Sequence, residues 1–293
     1  MKFTTFEHGG KQSYGAVVGE GIFDLGGRFA DLRALLAADA LDDLRDALKG
    51  VEPDFGLDEV TFLPVIPNPD KILCIGLNYE THRAETGRPA TEHPAIFTRF
   101  TDTQIGHRQP ILRPRVSSQL DYEGELAVII GRGGRYIPEA EALSHIAGYA
   151  CYNDVTVRDW QRHTPQFTPG KNFPATGAFG PWMLTADEAG DPRNLQLTTR
   201  LNGKVVQQAR IGEMIFPIER LVAYVSSFTP LRPGDVICTG TPGGVGFKRQ
   251  PPLFMEPGDL VEVELSGIGI LGNRVQDEDP PEPQNGRNGP LHI

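Results

Sequence analysis

The residues of this chain best suited to chemistry are carboxylates set at short intervals. In Asp121-Tyr122-Glu123-Gly124-Glu125-Leu126-Ala127-Val128-Ile129-Ile130, the apolar continuation predicts a strand entering the core, with Glu123 and Glu125 two residues apart. Side chains at i and i+2 of a strand point the same way, so the two carboxylates converge. At the mouth of a core they repel each other and lose hydration, a cost that a divalent cation or a bound proton offsets. On an edge strand both would simply face water. Asp154, closing the strand-like run Gly148-Tyr149-Ala150-Cys151-Tyr152-Asn153, offers a third carboxylate. Three oxygen ligands with room for water or substrate describe a hard cation, Mg²⁺ or Mn²⁺, rather than zinc. None of the seven histidines has the spacing of a HExxH pair.

Three further segments carry reactive types. His82 and Glu85 are spaced i,i+3, which puts them on one face of a short helix. There the carboxylate would fix the imidazole tautomer and make it a general base; otherwise they belong to a solvated polar helix. Lys171 lies in Thr168-Pro169-Gly170-Lys171-Asn172-Phe173, either as a surface lysine or, near a metal, as a partner for a substrate carboxylate or a developing enolate. Thr239-Gly240-Thr241-Pro242-Gly243-Gly244-Val245-Gly246 follows a predicted strand. Its N–H groups and the Thr241 hydroxyl suit a carboxylate, although a plain turn accounts for the loop equally well, and it matches neither a Walker loop nor a dinucleotide fingerprint.

The elements that must position these groups are mostly strands. Residues 1–65 read as a small α+β unit: a hairpin through 14–18 and 21–25, then one amphipathic helix from Phe29 to Lys49 carrying leucines at 32, 35, 36, 41, 44 and 48. Pro64, Pro67 and Pro69 mark a boundary. Residues 70–276 begin with a buried strand at 71–76 and continue with an Asn202-Gly203 hairpin, strands near 235–239 and 260–265, and helices near 138–145 and 218–227. Without regular β-α alternation, the fold class is a β-rich mixed α+β roll or sandwich, not a doubly wound sheet. The segment 277–293, rich in Pro, Gly and Asn, reads as a flexible tail.

Composition narrows the partners. A net charge of −10 with no basic cluster argues against nucleic acid. No apolar run is long enough for a membrane span or a signal peptide, giving the expectation of a cytoplasmic protein. Cys74, Cys151 and Cys238 sit in apolar runs and read as buried free thiols.

In order, Ile75-Gly76-Leu77-Asn78-Tyr79 with His82 and Glu85, DYEGELAVIIG, GYACYND, the Lys171 loop with Gly180-Pro181-Trp182, and Gly234-Asp235-Val236-Ile237 running into TGTPGGVG resemble the fumarylacetoacetate hydrolase family over roughly residues 70–275. The resemblance implies a β-roll catalytic domain behind a small N-terminal accessory domain, assembled as a homodimer. It implies Mg²⁺ or Mn²⁺ on Glu123, Glu125 and Asp154, with His82, Glu85 and Lys171 in catalysis. Substrate contacts would come from Lys171, Thr241, Gly240 and Tyr79. The expected activity is carbon–carbon hydrolysis of a 2,4-dioxo acid, an acylpyruvate or fumarylpyruvate, through a metal-stabilised pyruvate enolate in aromatic or sugar-acid catabolism. An isomerase or decarboxylase of a hydroxymuconate-type diacid or of oxaloacetate is the alternative on the same site. A non-catalytic oxo-acid binder is the alternative of another class.

Overall fold

The computed structural model describes residues 1–279; the tail beyond 279 lies outside the described residues. The principal strands are β1 (Lys2–His8), β2 (Lys11–Val18), β3 (Gly21–Asp24), β4 (Ile72–Gly76), β5 (Ala95–Thr98), β6 (Gly124–Ile130), β7 (Ile146–Asp154), β8 (Gly177–Thr185), β9 (Gln196–Leu201), β10 (Lys204–Arg210), β11 (Val236–Cys238), β12 (Leu260–Leu265) and β13 (Gly269–Asp277). The principal helices are short: α1 (Leu32–Ala37), α2 (Leu41–Ala47), α3 (Glu80–Thr86), α4 (Arg158–Gln161), α5 (Thr168–Lys171) and α6 (Ile218–Phe228).

A 12-stranded mixed sheet has the order β3-β2-β1-β8-β7-β6-β11-β4-β5, completed by two-residue strands at Phe55–Gly56, Thr61–Phe62 and Gln104–Ile105. A five-stranded sheet, β10-β9-β12-β13 with Ile111–Arg113, packs on its middle, β9 against β6, β12 against β7 and β13 against β8. Strand β6 shows why its residues form a central strand. Leu126, Val128 and Ile130 join one core with Leu197, Val263 and Leu271, while Ala127 and Ile129 join a second core with Phe3, Leu35, Cys74 and Cys238. Both faces are covered, so the segment reads as a continuous apolar run without polar alternation. The fold is the expected β-rich α+β type with few helices, and all three cysteines are buried and free.

The N-terminal segment extends the large sheet, since β1 pairs antiparallel with β8 through Lys2↔Leu184 and Phe3↔Met183. The single helix expected over 29–49 is instead two, α1 and α2, separated at Asp39, which takes φ 52°. The reason is legible in the leucines. From Leu36 to Leu41 the spacing is five residues, so a straight helix would rotate the second group off the stripe set by Leu32, Leu35 and Leu36. Breaking the helix lets Leu44 join the same core as those three leucines, each such burial contributing roughly 1.5–3 kcal/mol. Asp31 caps α1 by accepting from Ala34 N at 2.7 Å. The Asn202-Gly203 turn has φ 51° and 76°, the positive values expected of that pair. The helix near 138–145 is a 3₁₀ segment, Glu139–His145.

Candidate active site

Cross-strand register assembles the acids. In the antiparallel pair β6–β7, Gly124 faces Asn153 and Glu125 faces Tyr152. Asp154, two residues beyond Tyr152, therefore projects on the face used by Glu125. Glu123 precedes β6, in a break between Leu120–Asp121 and Gly124–Ile130, so the continuous strand expected from Asp121 is interrupted there. The break is pinned, because Glu123 N donates to Asn153 Oδ1 at 3.0 Å and Asp154 N donates to Glu123 O at 2.8 Å. One oxygen each from Glu123, Glu125 and Asp154 falls within 4.8 Å of the others, and all three residues are buried. The wet edge-strand alternative is thereby excluded.

Burying these acids requires cations, and three are present. Lys171 Nζ lies 2.6 Å from Glu123 Oε2 and 2.6 Å from Asp154 Oδ2. Arg158 bridges Glu123 Oε1 at 2.6 Å and Asp121 Oδ2 at 2.7 Å. Arg99, fully buried, reaches Asp154 Oδ1 at 2.7 Å, Val155 O at 3.1 Å and Thr176 Oγ1 at 2.6 Å. Burial would raise the Glu123 carboxyl, but Arg158 and Lys171 hold it below the ordinary range. Burial alone would lower the Lys171 ammonium; Asp154 and Glu123 hold it above its usual value. Glu125 is the exception. Burial, then Asp154 and Glu123, push it well above the carboxylate range, and its polar contact is a single N–H from Gly240 at 2.9 Å. Four buried carboxyl groups, Asp121 included, thus face three buried cations, with Glu125 the one left without a counter-charge. That imbalance, with an all-oxygen donor set, fits a divalent hard cation on Glu123, Glu125 and Asp154.

The glycine-rich loop turns its N–H groups inward. Gly240 N serves Glu125, Gly244 N donates to Glu85 Oε2 at 2.9 Å, and Gly246 N and Phe247 N donate to the two oxygens of Asp121 at 2.8 and 3.0 Å. The loop does cradle carboxylates, but they are the protein's own. It also fastens α3, since Gly243 N donates to Thr81 Oγ1 at 3.0 Å. Gly240 and Gly244 have φ of 102° and 104°, and a Cβ at Gly244 would lie 2.3 Å from Val206 O. Side chains are thus excluded where the loop approaches most closely. On α3, His82 Nδ1 lies 2.7 Å from Glu85 Oε1. An ionised carboxylate only accepts, so Nδ1 carries the proton and Nε2 is left as the basic nitrogen.

The model of the fumarylacetoacetate (FAA) hydrolase C-terminal domain matches residues 71–276. The chain belongs to the fumarylacetoacetate hydrolase family. It is 41% identical over 237 residues to oxaloacetate tautomerase FAHD2A, mitochondrial, of Bos taurus, covering 80% of this chain and 76% of that one. Among solved structures it resembles fumarylacetoacetate hydrolase from Exiguobacterium antarcticum, with TM-score 0.80, 34% identity, and coverage of 95% of this chain and 100% of the other. It also resembles maleylpyruvate hydrolase from Sphingobium sp. SYK-6 in complex with manganese(II) and pyruvate, with TM-score 0.79, 25% identity and the same coverages.

In this family member the site opens into a cavity of about 540 Å³ whose wall includes Glu123, Glu125, His82, Lys171 and Thr241. The other expected residues stand behind that wall. Glu85 backs His82, Gly240 supports Glu125, and Asp154 sits under Lys171. Tyr79 is buried with an unpartnered hydroxyl and contributes nothing to the cavity wall. Thr241 lines the cavity while donating to Gly124 O at 2.9 Å and accepting from Gln207 Nε2 at 2.7 Å. Lys171, readable from sequence as a surface lysine, is fully buried at the end of α5. Arg99, Arg158, Asp121 and Gln207 escaped the sequence reading. The signal was there for one of them: converging acids demand cations, and Arg158 follows Asp154 by four residues. Among the described residues no helix is long and apolar enough to cross a membrane.

Proposed function

We propose that the protein catalyses proton transfer at the carbon beside the keto group of a 2-oxo acid, interconverting keto and enol forms or moving a double bond. The observation that carries this reading is the His82–Glu85 pair at 2.7 Å, presented on the same cavity wall as Glu123, Glu125 and Lys171. A divalent cation, Mg²⁺ or Mn²⁺, held by Glu123, Glu125 and Asp154, would supply chelation of the substrate's carboxylate and keto oxygen and polarise the carbonyl. His82 Nε2 takes the proton from C3, and Glu85 stabilises the imidazolium that results. The Lys171 ammonium stabilises negative charge developing on the substrate oxygen. His82 then returns the proton to oxygen or to a carbon further along. The name of the Bos taurus relative, an oxaloacetate tautomerase, supports this choice. The test is C3–H exchange in D₂O, followed by proton NMR with Mg²⁺ and a panel of 2-oxo acids including oxaloacetate. Exchange no faster than in buffer with Mg²⁺ alone would sink the proposal.

Hydrolysis of a 2,4-dioxo acid is the second reading. A cavity of about 540 Å³ has volume for a water beside the acid, and the likeness to a maleylpyruvate hydrolase points the same way. Here His82 removes a proton from water, the hydroxide attacks the distal carbonyl, and the carbon–carbon bond breaks to release pyruvate. Decarboxylation of oxaloacetate would use the same acidic floor. Product analysis separates the three: pyruvate plus a second acid, carbon dioxide, or an isomer of unchanged mass.

A further inference from the structure

Gly124 is the residue between Glu123 and Glu125, so whatever holds its two peptide groups fixes how the two acids stand to each other. Further along β6 a neighbouring strand holds the backbone on that side: β11 pairs with residues 127–129 through Cys238, Ile237 and Val236. At Gly124 that strand no longer runs alongside, and side chains take its place. Gly124 N donates to Gln207 Oε1 at 3.0 Å, and Gly124 O accepts from Thr241 Oγ1 at 2.9 Å. Gln207 closes the ring, its Nε2 donating to Thr241 Oγ1 at 2.7 Å and to Pro242 O at 2.9 Å.

The chemistry of the partners requires a carboxamide here. Gly124 N–H needs an acceptor, Pro242 O needs a donor, and one glutamine side chain supplies both. Its aim comes from a bulge in β10. Thr199 faces Gln207 and Arg200 faces Val205, which leaves Val206 unpaired, and the consecutive residues Val206 and Gln207 are both buried. Strict alternation would turn one of the two outward; the extra residue re-aims the side chain. Gly124 must itself lack a side chain for the two sheets to meet at this point, since a Cβ would overlap Thr199 Oγ1. The ring also reaches along the glycine-rich loop. Gly240, just before Thr241, holds Glu125, while Gly243 and Gly244, just after Pro242, hold Thr81 and Glu85 on α3.

We propose that Gln207 is a positioning residue for the divalent cation: by holding Gly124 N and, through Thr241, Gly124 O, it keeps Glu123 and Glu125 at the separation that a small hard cation demands. This rests on the reading of Glu123, Glu125 and Asp154 as the cation's ligands. Mg²⁺ accepts near-octahedral oxygens at about 2.0–2.1 Å, whereas Ca²⁺ takes roughly 6–8 oxygens at about 2.3–2.6 Å in flexible arrangements. A loosened Gly124 therefore costs Mg²⁺ affinity more than Ca²⁺ affinity.

The experiment is calorimetry with Mg²⁺ and with Ca²⁺ on the wild-type protein, Gln207→Met, Thr241→Val, Thr241→Ser and the double variant Gln207→Met/Thr241→Val, with C3–H exchange measured alongside. Gln207→Met should weaken Mg²⁺ binding about tenfold or more and Ca²⁺ binding less than about threefold, so that the preference for Mg²⁺ falls. Thr241→Val should act in the same direction, and Thr241→Ser, which keeps the hydroxyl, should retain the wild-type preference. Because Gln207 acts in part through Thr241, the double variant should lose less Mg²⁺ affinity than the two single losses combined. A Mg²⁺ to Ca²⁺ ratio unchanged in Gln207→Met, or in Thr241→Val should Gln207→Met not fold, overturns the positioning role. So do additive losses, or a Thr241→Ser variant as impaired as Thr241→Val. Wild-type protein that binds neither cation overturns the reading of the acids as a cation site and the role of Gln207 with it. The predicted cation preferences without exchange on any acid overturn the proton-transfer reading and leave the positioning role standing.

Discussion

The floor of the site and its upper wall are built on different principles. The floor is set by the β6–β7 register, in the middle of a 12-stranded sheet, with each acid fixed by a buried cation or an N–H group. The wall is made of α3, α4, α5 and the segments after them, none of these helices longer than seven residues and many side chains exposed. Chelation tolerates little displacement of ligands, and the three acids that could hold a cation stand where moving one group means breaking several strand pairings. The rest of the cavity lining comes largely from short segments that can change sequence without disturbing that register. The His82–Glu85 pair joins the two, riding on a short helix yet fastened to the glycine-rich loop through Thr81 and Glu85.

The comparison can be broken most decisively at the floor. Glu125→Gln should abolish divalent-cation binding by calorimetry and take exchange activity with it, because the residue left without a counter-charge is the one the cation must neutralise. Retained Mg²⁺ affinity would show that the acids serve each other and not a metal. On the wall, His82→Ala should lower exchange by ~10² to 10⁴ while Mg²⁺ affinity stays at the wild-type level. A parallel loss of Mg²⁺ binding would mean that wall and floor are one unit.

Arg99→Met probes how much of the floor is structural. Removing Arg99 leaves Asp154 Oδ1 without its cation, while Lys171 still holds Oδ2 at 2.6 Å, and should cost about 3 kcal/mol in denaturant unfolding. A loss below about 1 kcal/mol would indicate that water reaches Asp154 and that the floor is looser than its contacts imply.

The smallest effect lies away from both regions and sharpens the contrast as a control. Burial and the neighbouring Arg108 hold His107 down at about 4, and its Nδ1 accepts from Gly272 N at 3.0 Å. A folded value below the ordinary 6.5 means that the unfolded chain takes up the proton first. The stabilisation is therefore complete above about pH 6.5 and is lost as pH falls toward 4. Because the ring is partly exposed, we expect only about 1–2 kcal/mol from this group. Urea midpoints at pH 7 and pH 4.5 should fall less in His107→Asn than in the wild type, with Mg²⁺ affinity at pH 7 equal in the two. Equal acid sensitivity would remove His107 from the account.

Local patterns made parts of this molecule legible. The i,i+3 His82–Glu85 pair, the Asn202-Gly203 turn and the strands at β4, β11 and β12 follow from backbone periodicity and turn chemistry, whereas Glu123 and Glu125 converge with Glu123 in a break before β6 and not in the continuous strand expected. The break between α1 and α2 was written in the five-residue leucine step but was masked by the apolar content of the whole stretch. Arg99, which meets Asp154 across 55 residues, and Gln207, which meets Thr241 across 34, left no local trace. Nor did the fate of the glycine-rich loop, because a run of N–H groups looks the same whether it will hold a ligand or the protein's own acids.

By itself the sequence determined which residue types are present at helix and strand spacing, and hence an acidic cluster, a candidate base and a β-rich fold. Tertiary structure alone decided how charge is balanced. Whether a carboxylate keeps its proton, meets an arginine or is left for a cation depends on groups that fall within a few ångströms after strands far apart in sequence have paired, and Coulomb energy in a dry interior changes steeply over that distance.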